Sequence, residues 1–367
     1  MISLAALGND LYSGKTSLPF IAKRRIWYTI AIVVIALSAV LVVKPGLNPG
    51  IDFKGGSEVT VTGVADPSEG PGNDVLADKD LSSGSSVTTM GASSVRIQTN
   101  ELDKAQLDEL ASSLATAYDV DSGSVSATTI GPTWSADVTS KAARGLVIFF
   151  LLVGALIWIY FRTWKMAAAA LLALSHDIIV TIGIYAASGF EVTPATIIGV
   201  LTILGYSLYD TVVVFDKIRE NTSHYEAQTR STYAELANLA VNQTFIRSIN
   251  TSVVGVLPVA SLLVVGAFIL GAGTLRDIAL TLFIGMIAGT LSSIFLATPL
   301  LVDLRSREKS SVEQAKRVEA ARAQRVTQAG DDDEALAAIV AAPAASPLVP
   351  GHHLGVSAQP KRKNRRS

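Results

Sequence analysis

Two carboxylates and one guanidinium stand where a membrane-spanning chain should not carry charge. Asp210 lies inside an apolar run, more than one helical turn before Asp216 closes it, and Arg247 stands where the next apolar run begins. An ionised side chain near the centre of a span costs about 2.5–3.5 kcal/mol, so such a group is expected to face a partner or a water-filled path. An Asp–Arg pair between neighbouring helices would lower the cost of both charges. Protonating the aspartate would release the arginine, and a potential of about 100 mV acting on one charge supplies about 2.3 kcal/mol to bias that switch. Proton-coupled movement is the chemistry these residues could do. The bland alternative has Arg247 snorkelling to lipid headgroups and Asp210 merely pairing with a neighbour. His176 and Asp177, near the middle of another apolar run, offer either a second titratable site or a structural polar contact.

Other chemistries are poorly supplied. The chain has no Cys, which excludes disulfides, thiolate metal sites and cysteine nucleophiles. Four His, two of them near the C-terminal end, are too few for a His-rich metal site. Ser13-Gly14-Lys15-Thr16 looks like the end of a phosphate loop, but the nearest upstream glycine, Gly8, is one residue too far away and no strand precedes it. ATP bound by this chain is not the expected driver and no cofactor is expected; protons would be the coupling ion. No nucleophile–base pair supports an enzyme, and a net charge of −1 gives no reason to expect a nucleic-acid partner.

The elements that must position these charges are membrane helices. The chain is 49% hydrophobic and only 17% charged, with the charges crowded between long apolar runs. Six spans are expected at 26–43, 143–161, 166–187, 194–215, 249–270 and 275–302; crossing the hydrocarbon takes roughly 20 residues. The first run has a poor small-x-small cleavage pattern, so it reads as a retained span rather than a signal peptide. Lys23, Arg24 and Arg25, then Arg162 and Lys165, then Lys217, Arg219, Arg230 and Arg247, and finally Arg305, Arg307 and Lys309 flank alternate spans. Positive residues belong inside, which places residues 1–25 and 305–367 in the cytoplasm and residues 44–142 outside. The loop with Glu191 carries no base and falls outside too, and Arg276 is the one clear exception. Gly199, Gly205, Gly285 and Gly289 read as close helix packing, and Pro194, Pro258 and Pro299 as helix starts or kinks.

The soluble segment, 44–142, reads as a small α+β domain. Strands are expected over 57–62, 94–99 and 124–130. Leu107, Leu110, Leu114 and Tyr118 recur at helical spacing, with Asn100 as the expected N-cap. Residues 66–93 are rich in Gly, Ser, Asp and Pro and read as a flexible insertion. A helical stretch is expected near 233–239 in the fourth-to-fifth loop, and a short helix over 312–329. The rest of the tail reads as disordered.

Gly50-Ile51-Asp52-Phe53-Lys54-Gly55-Gly56, just after the first span, resembles the signature that opens the extracytoplasmic domain in the SecD/SecF family, part of the RND superfamily. His176-Asp177 resembles that family's His-Asp pair. The run from Leu204 to Asn221, with Gly205, Tyr206, Ser207, Asp210, Asp216, Arg219, Glu220 and Asn221, is similar to its fourth-span motif on the SecF side, although Tyr209 stands where the family commonly has Asn. Asn242-Gln243-Thr244 followed by Arg247 resembles the start of its fifth span. The resemblance implies half of an RND-type bundle with a ferredoxin-like domain, Asp210 and Arg247 as the proton-coupling pair, and Asp177 and His176 as secondary candidates. It implies SecD on a separate chain as the other half. The SecYEG translocon with SecA, YajC and YidC, translocating preproteins and membrane lipid complete the implied partners. A stand-alone exporter of the same superfamily would carry both halves in one chain, and no internal repeat is present here.

Overall fold

The computed structural model describes residues 4–266 and 273–329. In chain order, α1 (Leu4–Ser13) is followed by α2 (Arg24–Leu41), the body of the first span. A short strand β1 (Asn48–Pro49) and a single turn α3 (Ile51–Lys54) lead to the soluble domain. That domain runs β2 (Gly56–Thr62), α4 (Gly70–Asp78), β3 (Ser86–Met90), β4 (Ser94–Thr99), α5 (Lys104–Ala117) and β5 (Val125–Ile130). Then come α6 (Pro132–Phe161), α7 (Trp164–Ser188), the two-residue strand β6 (Glu191–Val192), α8 (Pro194–Asn221) and α9 (Tyr233–Val264). The helix α10 (Gly273–Ser292) passes through a π-helical turn, Ser293–Ala297, into α11 (Thr298–Ser306), and α12 (Lys309–Ala329) follows. Six of these helical stretches are long and apolar enough to cross a membrane, beginning at Arg24, Pro132, Trp164, Pro194, Tyr233 and Thr274.

Contacts group the chain into two units. The larger comprises Arg25–Val212 and Ser248–Ala297, the smaller Met1–Arg24, Val213–Arg247 and Thr298–Ser367.

The soluble domain, in the larger unit, is a four-stranded antiparallel sheet of order β3-β4-β2-β5. With its two helices it forms the β-α-β-β-α-β arrangement called ferredoxin-like. Alternation explains which face is covered. Val59 and Val61 of β2 and Val95 and Ile97 of β4 are fully buried against Leu76 of α4 and Leu107, Leu110 and Leu114 of α5. Each such side chain contributes about 1.5–3 kcal/mol when fully buried. Two glycines let the chain enter this sheet. Gly55 has φ +80°, and at Gly56, with φ +143°, a Cβ would lie 2.5 Å from the carbonyl oxygen of Thr99.

Two expectations for this domain are corrected. Residues 66–93 are not a flexible insertion: they supply α4 and β3. The backbone N–H of Gly72 donates to Tyr118 Oη (2.9 Å), the Tyr118 hydroxyl donates to the carbonyl of Ser68 (2.8 Å), and Leu76 is 2% exposed. The segment reads as a linker because few of its side chains face the core and the rest meet water. The N-cap of α5 is Asp103, not Asn100. Asp103 and Gln106 bond each other's backbone N–H in a capping box. Leu102 must first reach the core, where its N–H donates to Ser57 Oγ (3.0 Å), so the chain stays extended until Asp103. Asn100 donates instead to the carbonyl of Ser83.

The membrane helices of the larger unit invert the usual rule. Ala169, Ala170, Ala173 and Thr181 are buried, while Leu151, Leu152, Leu156 and Ile159 are exposed. The second span starts at Pro132, well before residue 143, because Pro at the first helical position and the buried Ser135 begin the helix beside the domain.

In the smaller unit, the stretch near 233–239 is continuous with the fifth span, since nothing breaks the helix before Arg247. Its Asn242 and Asn238 accept from the backbone N–H of Leu18 (2.7 Å) and Ile21 (3.1 Å). Arg322 of α12 forms a two-pronged bond to Glu235 at 2.7 and 2.9 Å. Residues 267–270, expected to end the fifth span, and the tail from 330, expected to be disordered, lie outside the described residues.

Candidate functional site

The interior of the larger unit is built by three helices brought unusually close. Along α8, Gly199, Ile203 and Ser207 recur every fourth residue; along α10, Thr281, Gly285 and Gly289 do the same. A Cβ added at Gly199 would lie 2.9 Å from Thr281, one at Gly285 2.5 Å from Ile203, and one at Gly289 2.7 Å from Ser207. Glycine at three of these six positions thus lets the backbone of one helix rest against the side chains of the other, the usual means of packing helices where lipid removes any apolar incentive. Gly205 does not join them. It lies off this row, and nothing would approach a Cβ there within 4 Å.

Inside this contact sit two carboxylates. Asp177 of α7 is 2% exposed; its Oδ2 accepts from Ser207 Oγ at 2.7 Å, and its Oδ1 lies 3.3 Å from His176 Nδ1. Asp210, one turn beyond Ser207 on α8, is 5% exposed and accepts from Ser293 Oγ at 2.6 Å. Ser293 opens the π-helical turn that follows α10, a feature frequently found at functional sites. Its hydroxyl oxygen is also 2.9 Å from the carbonyl of Thr290. A hydroxyl has one hydrogen to give, so Ser293 serves Asp210 or Thr290, not both. His176 lines an apolar cavity of about 480 Å³ with Trp27, Phe283 and Phe295.

The other expected residues distribute as follows. Tyr206 donates to the carbonyl of Thr251 (3.0 Å), and a Cβ at Gly255 would meet its hydroxyl at 2.5 Å. Tyr209 is 54% exposed, so the departure from the family pattern there does not touch the contacts of Asp210. Arg247, Asp216, Arg219, Glu220 and Asn221 belong to the smaller unit. There Asn221 donates to Gln243 (3.0 Å) and Glu220 pairs with Lys217 (2.8 Å), while Arg247 is exposed on α9. Asp52 and Phe53 sit on α3; Phe53 lines a second cavity, about 460 Å³, with Tyr185 and Thr196.

Sequence reasoning missed Ser293 and a third buried carboxylate, Asp277. Asp277 is 2% exposed, accepts from Thr193 Oγ1 (3.2 Å) and lies 3.2 Å from Arg276 Nη2. The rule that singled out Asp210 covers Asp277 equally; the adjacent Arg276 drew attention as a topological exception instead. Ser293 was visible as the next step of the four-residue row of Thr281, Gly285 and Gly289.

Comparison with known proteins agrees with this architecture. The family described as "Protein export membrane protein SecD/SecF, C-terminal" matches residues 110–307, and the "SecD/SecF GG Motif" matches residues 40–63. A protein translocase subunit SecF of Streptomyces coelicolor is 45% identical over 333 residues, covering 88% of this chain and 86% of its own. One from Mycobacterium tuberculosis is 43% identical over 311 residues, covering 81% and 69%. The crystal structure of SecDF from Thermus thermophilus, a translocon-associated membrane protein, superimposes with a TM-score of 0.70 at 29% identity over 80% of this chain. This chain spans 39% of that longer one. Six apolar helices, a glycine-gated ferredoxin-like domain and these matches lead to one assignment: the chain belongs to the SecD/SecF family of multi-pass protein-export membrane proteins.

Proposed function

We propose that this chain is one six-helix half of a proton-driven accessory complex in protein export, with a SecD-type chain as the other half. On this reading the complex uses the proton motive force to assist late movement of preproteins through SecYEG, beside SecA, YajC and YidC. Both termini are cytoplasmic and the ferredoxin-like domain is outside. Protons are the coupling ion, and no resident cofactor is proposed.

The observation that carries the reading is Asp210, a carboxylate buried among close-packed helices and held by a single-hydrogen hydroxyl that has a second acceptor within reach. While Asp210 is ionised, Ser293 donates to it. Once Asp210 takes a proton, the carboxyl becomes the donor, and the Ser293 hydrogen turns to the Thr290 carbonyl. A protonation event thereby changes a hydrogen bond between α8 and the π turn after α10. Arg247 is the proposed counter-charge, and Asp177 with His176 a second station on the proton's path.

The test is export rate per folded complex, with and without an uncoupler. Asn keeps the shape of Asp210 but cannot titrate, so Asp210→Asn is expected to abolish the uncoupler-sensitive part. Asp210→Glu should keep some of it. Uncoupler-sensitive export at the normal rate in Asp210→Asn would rule out Asp210 as the coupling site.

A further inference from the structure

We infer that Arg96 and Glu191 are positioning residues that transmit movement of the carboxylate-bearing helices to the ferredoxin-like domain. The inference rests on the proton-driven reading above and concerns how its output leaves the bundle.

Glu191 lies in the short connection between α7, which carries Asp177, and α8, which carries Asp210. Connections of this kind are normally the most mobile parts of a fold. Here every residue from Gly189 to Thr193 is engaged. The carbonyl of Gly189 accepts from Asn48 Nδ2 (3.4 Å). The ring of Phe190 lies 5.5 Å from the Arg276 guanidinium. Glu191 Oε2 accepts from Arg96 Nη1 at 2.9 Å, and its Oε1 accepts from Gln98 Nε2 at 2.6 Å. The carbonyl of Val192 accepts from the backbone N–H of Gly50 (2.9 Å), and β6 pairs with β1 in parallel. Thr193 donates to Asp277 at the start of α10. The connection therefore joins the three helices that pack around the carboxylates, and its one acidic side chain reaches into the domain.

The receiving end is rigid. Arg96 and Gln98 lie on β4, on the face opposite the aliphatic core, beside Glu58 of the paired strand β2. Gln98 Nε2 also donates to Glu58 Oε2 (3.0 Å), and Arg96 Nε is 3.6 Å from the same oxygen. The side chains of Arg96 and Glu191 are only 16% and 12% exposed, so this is not a screened surface pair. A charge pair so placed holds distance and angle better than apolar contact does, because a guanidinium fork binds directionally. Gly50 keeps the space open: a Cβ there would lie 2.6 Å from Glu191 Oε1. Arg96 keeps its proton at any working pH and so cannot carry one, which makes its role separable from that of Asp210.

The experiment reconstitutes the full complex in vesicles and reads two quantities, export per folded complex and dissipation of an imposed pH gradient. Arg96→Met is expected to lose most gradient-driven export while still dissipating the gradient; Asp210→Asn is expected to lose both. The charge swap Arg96→Glu with Glu191→Arg should recover export relative to either single change. Should Arg96→Met lower the amount of complex, the swap compared with Glu191→Arg alone decides. Normal export in Arg96→Met overturns the inference, as does equal loss of export and gradient dissipation. Unchanged dissipation in Asp210→Asn would instead overturn the proton-coupling reading on which it rests.

Discussion

The ferredoxin-like domain and the helix bundle are held together by opposite means. The domain core is aliphatic: Val59, Val61, Ile97, Leu110 and Leu114 are at 0% exposure. The bundle interior buries Ala170, Thr181, Ser207, Thr281 and Ser293, while Leu151 and Leu156 are 68% and 61% exposed. In water, removing apolar area from solvent drives packing. In lipid the tails are as apolar as leucine, so helices associate through close contact and internal polar bonds. The same side chain therefore stabilises one region by being inside and costs nothing outside in the other.

Adding apolar bulk to the bundle gives the largest expected effect. Gly289→Leu increases apolar area yet drives atoms into Ser207, whose Cβ is already 2.7 Å from where a Cβ would be built. Overpacking of this sort costs about 1–3 kcal/mol and sometimes more, so folded protein surviving detergent size-exclusion should fall sharply. A normal yield would show that α8 and α10 are not held by closeness. Removing apolar bulk from the domain comes next. Leu110→Ala should cost about 2–5 kcal/mol, read as faster amide hydrogen exchange over residues 56–130 in the full chain. Leu151→Ala, the same chemical change on the bundle's outer surface, should leave exchange throughout the chain nearly unaltered, within about 0.5 kcal/mol. Equal effects at the two leucines would abolish the contrast.

The smallest effect is a pH dependence at the domain's edge. Burial first, then the charges of Glu58 and Glu191, push the Asp52 carboxyl above its ordinary value of 3.8, with Arg96 opposing. The fold thus favours the neutral form. That contribution is fully present below the ordinary value and is lost as pH rises through the raised one. Asp52→Asn should slow exchange near residues 50–58 modestly at neutral pH and make little difference in acid. A difference growing toward acid would reverse the sign and the argument.

Both environments left readable traces in the sequence, to different depths. Hydropathy alone located six spans, because an apolar run of about twenty residues matches the thickness of the hydrocarbon layer and little else in a protein. Alternation located β2 and β4. It could not locate β3, whose residues Ser86, Thr88 and Thr89 are exposed at the sheet edge and whose composition resembles a loop. Asp210 and Asp177 were legible because charge in a span is costly. Their bonds were not. Ser207 stands in the resembled motif and Ser293 in the four-residue row of α10, but only the packing of α7, α8 and α10 shows that their hydroxyls meet Asp177 and Asp210. The Arg96–Glu191 bond was equally hidden, since 95 positions separate its ends and neither residue is unusual where it stands.

The π turn at Ser293–Ala297 has one more consequence. The buried row of α10 continues at a strict interval of four through Thr281, Gly285, Gly289, Ser293 and Ala297. A helix turns fully in 3.6 residues, so each step of four overshoots by about 40°. Four such steps would carry the row nearly halfway round the cylinder and leave its last members facing lipid. A turn closed over one extra residue gives back about 100° of that excess. Calendars meet the same incommensurability between day and year and correct it by inserting a day. The turn begins at Ser293 itself, so the correction falls between the residue that meets Asp210 and Ala297, which stays fully buried.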